Sequence, residues 1–299
     1  MNISLIGVPI FFGSDKKGVE FGPDKLREKG IIDILTRNNH TVYDCGNLYV
    51  ENINEEQKFN FHPTMKYLKP ILDVNKNLAH QVYSALTSDS FPLVIGGDHS
   101  LGLGSISGAS KYASDTAVIW IDAHGDINTH ETSMTGNIHG MPLAAAMGVG
   151  FNELTDLYYK GTKVDSKNVF IIGARDLDEG EKALIKSKSL NVYSTEDVKN
   201  MGMERISEEV HSKIKKNGIK RIHLSFDIDC LDPSLVPGTG TPVKNGMSLD
   251  HAKYLLKYLM ETKLVKSMDF VELNPVLDEN DRTADMCIDL LDWTFKYLK

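Results

Sequence analysis

Short apolar segments recur along this chain and alternate with stretches of helical periodicity, which restricts the folds that it can adopt. Several segments, such as 92–97 and 117–122, are continuously apolar, as expected of strands that are covered on both faces. The predicted strands are 3–8, 41–46, 92–97, 117–122, 169–174, 221–227 and 265–273. The predicted helices are 23–38, 64–87, 102–114, 179–188, 203–217, 248–261 and 281–298. This alternation predicts a mostly parallel sheet within a three-layer α/β fold.

The composition narrows the class of protein. Of the 299 residues, 41% are hydrophobic and 25% are charged, which is ordinary for a globular protein with a sizeable core. The formal net charge of −8 argues against nucleic acid or an anionic membrane as the main partner. The three cysteines are too few for a disulfide framework, and no apolar run approaches the length of a membrane span. We therefore expect a cytoplasmic protein and, since no linker or repeat divides the chain, one domain over residues 1–299.

Side chains of the kind that bind metals follow four of the predicted strands. The candidates are His99 after the third strand, Asp122, His124 and Asp126 after the fourth, Asp227 and Asp229 after the sixth, and Glu272 near the end of the last. Ligands bind at the carboxyl ends of strands in open parallel sheets, so these side chains should meet at one edge. If the chain stays extended past Ile121, the alternate residues Asp122, His124 and Asp126 project from one face. Either histidine alone could be a buried core residue, but four strands with such ends favour a metal site.

The donor types predict which ions this site takes. Two imidazoles and four carboxylates without a thiolate suit Mn²⁺, Fe²⁺, Co²⁺ or Zn²⁺. Six ligands exceed the needs of one ion, and four negative charges balance two divalent cations, as in two-metal hydrolytic sites. With a bridging hydroxide the cluster would remain close to −1, which favours a cationic substrate over a phosphate ester.

Three segments carry a family resemblance. GGDHS at 96–100, DAHGDIN at 122–128 and SFDIDCLDP at 225–233 resemble, in order and spacing, the signature segments of the ureohydrolases, dimanganese enzymes that hydrolyse guanidino compounds to urea. The resemblance extends from residue 7 to residue 279 and implies a three-layer α/β/α sandwich around a mainly parallel eight-stranded sheet. Within the family, the segment 128–143 is similar to the part of arginases that recognises the amino-acid end of the substrate.

The resemblance implies a role for each site residue. One manganese would be bound by His99, Asp122, Asp126 and Asp227, and the other by His124, Asp122, Asp227 and Asp229, so that Asp122 and Asp227 are shared. His139 matches the proton-shuttle histidine, and Glu272 matches the carboxylate that pairs with the guanidinium. The α-carboxylate would be bound by Asn128, Thr135 and Asn137, and the α-amino group by Asp178. Asp178 also lies in an acidic loop, where a solvated surface is the competing interpretation, and Arg175 is predicted to be the counter-ion of that loop.

The reaction implied is the hydrolysis of L-arginine to L-ornithine and urea, by attack of a dimanganese-bridging hydroxide on the guanidinium carbon. This is a step of arginine metabolism and the urea cycle, and the family resemblance suggests a homotrimer or homohexamer. Co²⁺ or Fe²⁺ could replace Mn²⁺ at these donors. Another ureohydrolase, such as an agmatinase or guanidinobutyrase, is the nearest alternative. A two-metal phosphatase would need Lys or Arg beside the metals, and a non-catalytic metal protein would not need Glu272 and His139.

Overall fold

The computed structural model describes residues 1–299, and its centre is one eight-stranded sheet in which every strand is parallel to its neighbours. The strands are β1 (Asn2–Val8), β2 (Thr41–Asn47), β3 (Phe91–Gly96), β4 (Thr116–Ile121), β5 (Val169–Ala174), β6 (Asn191–Ser194), β7 (Arg221–Asp227) and β8 (Val265–Val271). Their order in the sheet is β2-β1-β3-β8-β7-β4-β5-β6. The predicted fold class is confirmed.

Eleven α-helices connect the strands and surround the sheet. They are α1 (Gly22–Glu28), α2 (Ile31–Arg37), α3 (Leu68–Thr87), α4 (Gly102–Tyr112), α5 (Pro142–Ala146), α6 (Asn152–Thr155), α7 (Glu179–Lys188), α8 (Thr195–Met201), α9 (Met203–Lys216), α10 (Leu249–Glu261) and α11 (Arg282–Phe295). Two apolar clusters of 44 and 35 buried residues use alternate residues of the same strands, so one lies on each face of the sheet. None of the helices combines the length and the hydrophobicity that crossing a membrane would require.

Several predicted element boundaries were wrong. The helix predicted over 23–38 is two helices, because Gly30 adopts a φ of 87° between them, a conformation that interrupts a right-handed helix. The helix predicted from residue 64 begins at Leu68. The strand β6 and the helices α5, α6 and α8 were not predicted. These elements have four to seven residues each, too few for an apolar period to be distinguished from a loop.

The strand order brings the candidate residues together. The four central strands β3, β8, β7 and β4 are adjacent, and each is followed at its carboxyl end by a candidate residue. Their registers pair Ile95 with Phe270, Phe270 with Phe226, and Phe226 with Ile121. The four strands therefore end at nearly the same level, and the residues after them share one edge of the sheet.

Candidate metal centre and substrate cleft

Two groups of metal-type donors lie at this edge, and they share one aspartate. Asp122 Oδ2 lies 2.8 Å from His99 Nδ1, whereas Asp122 Oδ1 lies 3.2 Å from His124 Nδ1. Asp227 completes the group around His99, at 3.3 Å from its Nδ1, and Asp229 completes the group around His124, at 3.2 Å. One carboxylate thus faces two imidazoles with its two oxygens, as a ligand shared by two ions would.

Asp126 joins the first group by a route that differs from the expectation. The strand β4 ends at Ile121, and Asp126 has a φ of 52°, in the left-handed region. The chain therefore does not stay extended through the Asp-x-His-x-Asp segment, and that expectation was wrong. The reversal brings Asp126 Oδ2 to 3.4 Å from His99 Nδ1. Strained backbone of this kind is concentrated at functional sites, where the surrounding structure holds it.

The electrostatics of the centre suit bound cations. Burial raises the pKa of Asp227 and Asp126 well above the ordinary value, and the neighbouring carboxylates of Asp229 and Asp122 raise it further. Burial opposes the charge on Asp122 too, but hydrogen bonds from His124 and His99 hold its pKa below the ordinary value. Without cations these buried carboxylates repel one another. The donors present, carboxylate oxygens and imidazole nitrogens, fit two divalent ions.

The loop between β3 and α4 presents His99 to the other donors. A Cβ at Gly97 would overlap the carbonyl oxygen of Ile10, so the close approach of these two segments requires glycine there. Asp98 points away from the centre and accepts hydrogen bonds from the backbone N–H of Gly13 at 2.8 Å and of Ser100 at 3.0 Å. Burial, together with the charge of Glu272, raises the pKa of Asp98 to about 6. Asp98 therefore has a structural role, in joining this loop to the segment after β1.

A polar cleft of about 200 Å³ opens above the centre. Its lining residues are His124, Asp126, Asn128, Ser133, Met134, Thr135, Asn137, His139, Gly140, Asp176, Asp178, Glu181 and Thr241. Four of them are acidic, none is Lys or Arg, and Met134 at the rim is the one large apolar side chain. Such a cleft attracts cationic ligands and disfavours phosphate groups.

Glu272 lies beneath the cleft and is almost completely buried. Its Oε1 accepts a hydrogen bond of 2.8 Å from the backbone N–H of His99 and lies 3.6 Å from His139 Nδ1. Glu272 has a φ of 67°, a conformation that a glutamate adopts only where surrounding contacts hold it. His139 is partly exposed and lines the cleft, so a carboxylate and an imidazole lie side by side next to the metal donors.

The residues predicted to bind the amino-acid end surround the outer part of the cleft. Asn128 Nδ2 donates to Asp178 Oδ2 at 2.7 Å, and Asp178 Oδ1 accepts from the backbone N–H of Glu181, so Asp178 also caps helix α7. Asn137 accepts a 2.8 Å hydrogen bond from Lys66 Nζ. Thr135 is exposed, and its hydroxyl accepts from the backbone N–H of Asn137.

Comparisons with known proteins agree with this geometry. The model of the arginase family matches residues 1–295 of the chain. The arginase of Brevibacillus brevis is 40% identical over 294 residues, which cover 98% of this chain and 97% of that protein. The chain belongs to the arginase family. It is thus a hydrolase of the ureohydrolase type, and members of this family are binuclear metal enzymes.

Solved structures of arginases have the same fold. The crystal structure of the arginase from Bacillus cereus superposes with a TM-score of 0.92 at 40% identity, covering 99% of this chain and 98% of that one. Entamoeba histolytica arginase in complex with L-ornithine superposes with a TM-score of 0.89 at 34% identity, covering 98% of this chain and 97% of that one. Together, the relatives and the structures support arginase function.

Some contacts of this arginase-family site were not predicted. Trp120 stacks on the His99 ring with centroids 3.8 Å apart, and its indole N–H donates to Asp122. The hydroxyl of Thr241 donates to Asp229 at 3.0 Å. Trp120 precedes Asp122 by two residues, so strand alternation could have placed both on one face. Thr241 lies in a loop and has no comparable sequence signal.

The prediction that Arg175 is the counter-ion of the acidic loop was wrong. Arg175 does not pair with the acidic loop; its guanidinium donates to backbone carbonyls of the segment after β7, including those of Asp229 at 2.7 Å and Cys230 at 3.2 Å. It also donates to the carbonyl of Val243 at 2.8 Å. Arg175 therefore holds the loop that carries Asp229. Cys230, next to this ligand candidate, is buried in the apolar core, and burial raises the pKa of its thiol well above the ordinary value.

Proposed function

We propose that this chain is an arginase that hydrolyses L-arginine to L-ornithine and urea with two divalent metal ions. The observation that carries the proposal is Asp122, whose two carboxylate oxygens each face a different imidazole. A carboxylate between two donor groups suits a pair of ions at the spacing of two-metal hydrolases. The acidic cleft above the pair suits a guanidinium group, which carries positive charge.

The ions would be held by residues from three strand ends. His99, Asp122, Asp126 and Asp227 would bind one ion, and His124, Asp122, Asp227 and Asp229 would bind the other. We propose Mn²⁺ as the resident metal, since carboxylate-rich sites with imidazole suit it, although Co²⁺ and Fe²⁺ accept the same donors. When bound, such a pair supplies Lewis-acid chemistry that makes water nucleophilic near neutral pH.

Glu272 and His139 would serve the reacting end of the substrate. Glu272 Oε1 is occupied by the backbone N–H of His99, which leaves Oε2 to accept a charge-assisted hydrogen bond from the guanidinium. This contact would hold the guanidinium carbon over the metal donors. His139 lies next to Glu272 and faces the cleft, so it can carry the proton that the departing amine of ornithine requires.

The outer cleft would recognise an α-amino acid. The carboxylate of Asp178 would pair with the α-amino group, while Asn128, Thr135 and Asn137 would bind the α-carboxylate directly or through water. Lys66 donates to the side-chain oxygen of Asn137 and is itself ion-paired with Asp15 at 2.8 Å, so it holds the Asn137 amide in place at the cleft. A site built to hydrogen-bond such groups discriminates strongly against analogues that lack them.

The test is urea release by the purified, Mn²⁺-loaded protein from L-arginine, agmatine and 4-guanidinobutyrate, measured side by side. We expect a strong preference for L-arginine. A preference for either analogue would retain the two-metal chemistry and refute the assignment of the amino-acid contacts. No urea from any of the three, with two ions verified as bound, would refute the proposal.

Replacing His139 by alanine tests the proton-transfer role. We expect kcat for L-arginine to fall by roughly 100-fold or more, in the range typical of a general acid or base, while the protein still binds two metal ions. Urea release and metal analysis of the same preparation measure both quantities. His80→Ala, at an exposed histidine of α3, is the control and should leave both unchanged. Loss of metal from His139→Ala would make His139 a ligand or a structural residue instead.

Replacing Asp178 by asparagine separates substrate binding from helix capping. Asparagine caps helices as well as aspartate does, so α7 should remain intact. Loss of the charge should raise KM for L-arginine by roughly 10- to 100-fold, the effect of a lost hydrogen bond to a charged group, with little change for 4-guanidinobutyrate, which has no amino group. The control is Asp165→Asn, at a capping aspartate outside the cleft. Equal effects on both substrates would contradict the proposed contact.

Two further properties complete the proposal. We place the protein in the cytoplasm, since all three cysteines are free and two of them are buried, which suits a reducing compartment. The family resemblance supports a homotrimer or homohexamer, and light scattering of the purified protein would measure its mass in solution.

A further inference from the structure

A second polar cluster lies in the core below the metal donors, and the reaction described above does not use it. Its members are Ser105 on α4, His223 and Ser225 on β7, and Ser267 and Asp269 on β8. All five are buried, with at most 2% of their surface exposed. The residues on β7 and β8 alternate along their strands, so they project from the same face of the sheet toward α4. We refer to these five residues as the Asp269 network.

One oxygen of Asp269 collects the hydrogen bonds of this network. Asp269 Oδ2 accepts from Ser105 Oγ at 2.5 Å, from His223 Nε2 at 3.0 Å and from Ser225 Oγ at 3.2 Å. Ser267 Oγ lies 2.8 Å from His223 Nδ1 and completes the contacts of that imidazole. Asp269 Oδ1 is buried without a partner. Leaving a polar atom unpaired in the core costs free energy, so stability alone does not account for a carboxylate at this position.

The network is joined to the metal donors through a single contact. Ser225 Oγ lies 2.8 Å from His99 Nε2, the ring nitrogen opposite the one that faces Asp122. The partner groups themselves determine which atom donates in each of these hydrogen bonds. A carboxylate only accepts, so Ser225 donates its one proton to Asp269 and must accept from His99. His99 therefore carries a proton on Nε2, which keeps Nδ1 as the atom that offers its lone pair to a metal.

We propose that Asp269, acting through Ser225, is a positioning residue that fixes the tautomer and ring orientation of His99 for binding one of the two metal ions. The inference rests on the proposed two-metal function. His223, Ser105 and Ser267 hold the carboxylate of Asp269 in place. Trp120 stacks on the His99 ring and limits its tilt, but Ser225 is the residue that determines which nitrogen is protonated. Contacts of this kind to a metal-binding histidine change metal affinity by about 10- to 100-fold.

The experiment measures metal binding instead of turnover. Equilibrium dialysis against Mn²⁺, followed by metal analysis, gives the affinities of both ions for the unmodified protein, Ser225→Ala and Asp269→Ala. Ser107→Ala is the control for removing a buried hydroxyl, because Ser107, on α4, is fully buried and its hydroxyl donates only to the backbone carbonyl of Leu103. Electron paramagnetic resonance of the Mn²⁺-loaded samples distinguishes a coupled pair from single ions, and urea unfolding of the metal-free proteins reports stability.

We expect Ser225→Ala and Asp269→Ala, each of which removes a link of the contact to His99, to bind one ion about 10- to 100-fold more weakly and to lose the coupled signal at intermediate Mn²⁺ concentrations. Ser107→Ala should retain both ions, and the metal-free Ser225→Ala protein should unfold at a urea concentration close to that of Ser107→Ala. The inference is overturned if Ser225→Ala binds both ions as tightly as the unmodified protein, even where Asp269→Ala loses them through misfolding. If the unmodified protein binds no pair of ions, the proposed function itself fails, which is a separate result.

Discussion

Replacing Asp227 by asparagine is expected to abolish two-metal binding and, at the same time, to stabilise the metal-free protein. Asp227 is buried among Asp122, Asp229 and Glu272, whose negative charges oppose its own. Without cations this repulsion destabilises the fold. Asparagine carries no charge and removes the repulsion, so the free energy of unfolding of the metal-free protein should rise by about 1 kcal/mol. Asparagine can still accept the 2.7 Å hydrogen bond from the backbone N–H of Asp229, but it no longer offers a charged ligand. Urea release should fall at least about 100-fold, because the metal chemistry is lost.

Two measurements on the same variant check these opposite effects. Metal analysis should find fewer than two ions, and urea unfolding of the metal-free proteins should show a higher midpoint for Asp227→Asn than for the unmodified chain. The control is Asp232→Asn, since Asp232 accepts hydrogen bonds from Ser234 in the turn that follows and from the backbone N–H of Gly246, and is not one of the metal donors. A variant that binds two ions with unchanged affinity would rule out Asp227 as a ligand, and a lower midpoint would rule out repulsion as the main effect of its charge.

Replacing Glu272 by glutamine is expected to have the second largest effect on activity. The effect should be limited to the binding and turnover of substrate, and metal binding should be unchanged. Glutamine can keep the hydrogen bond from the backbone N–H of His99, so the local structure should persist. It removes the negative charge that would pair with the guanidinium. Loss of one partner of a buried, hydrogen-bonded charge pair costs about 2–5 kcal/mol, so kcat/KM for L-arginine should fall roughly 30- to 5,000-fold.

Metal binding separates this result from a structural failure. The Glu272→Gln protein should still bind two Mn²⁺ ions and unfold at a similar urea concentration to the unmodified chain. Glu279→Gln, at an exposed glutamate outside the cleft, should retain full activity. Unchanged kcat/KM in Glu272→Gln would show that this carboxylate does not contact the guanidinium.

Much of the site could be predicted from the sequence because its signals are local. His99, Asp122 and Asp227 each come directly after an apolar strand or within a few residues of its end, and parallel strands bring such ends together. The assignments of Asn128, Thr135, Asn137 and Asp178 needed a family resemblance, since polar residues in loops carry no comparable pattern. The eighth strand, β6, was implied by the resemblance and not by its four residues.

The contacts that were not predicted join residues far apart in the chain. His223 has no partner within its own segment of the sequence; in the fold it is buried and hydrogen-bonded to Asp269, 46 positions further along. Ser225 reaches His99 across 126 positions, and Lys66 reaches Asn137 across 71. No local pattern encodes such pairings, because they depend on which strands and loops become neighbours in the sheet.

The sequence by itself determined the fold class and the donor types, since apolar periodicity dictates burial, and the chemistry of carboxylates and imidazoles dictates which ions they bind. Only the tertiary structure decided how those donors are oriented. The reversal at Asp126, the sharing of Asp122 between two imidazoles and the choice of nitrogen on His99 follow from long-range packing. Tautomer and ring orientation are set by the group on the far side of the imidazole, and that group arrives from a distant strand.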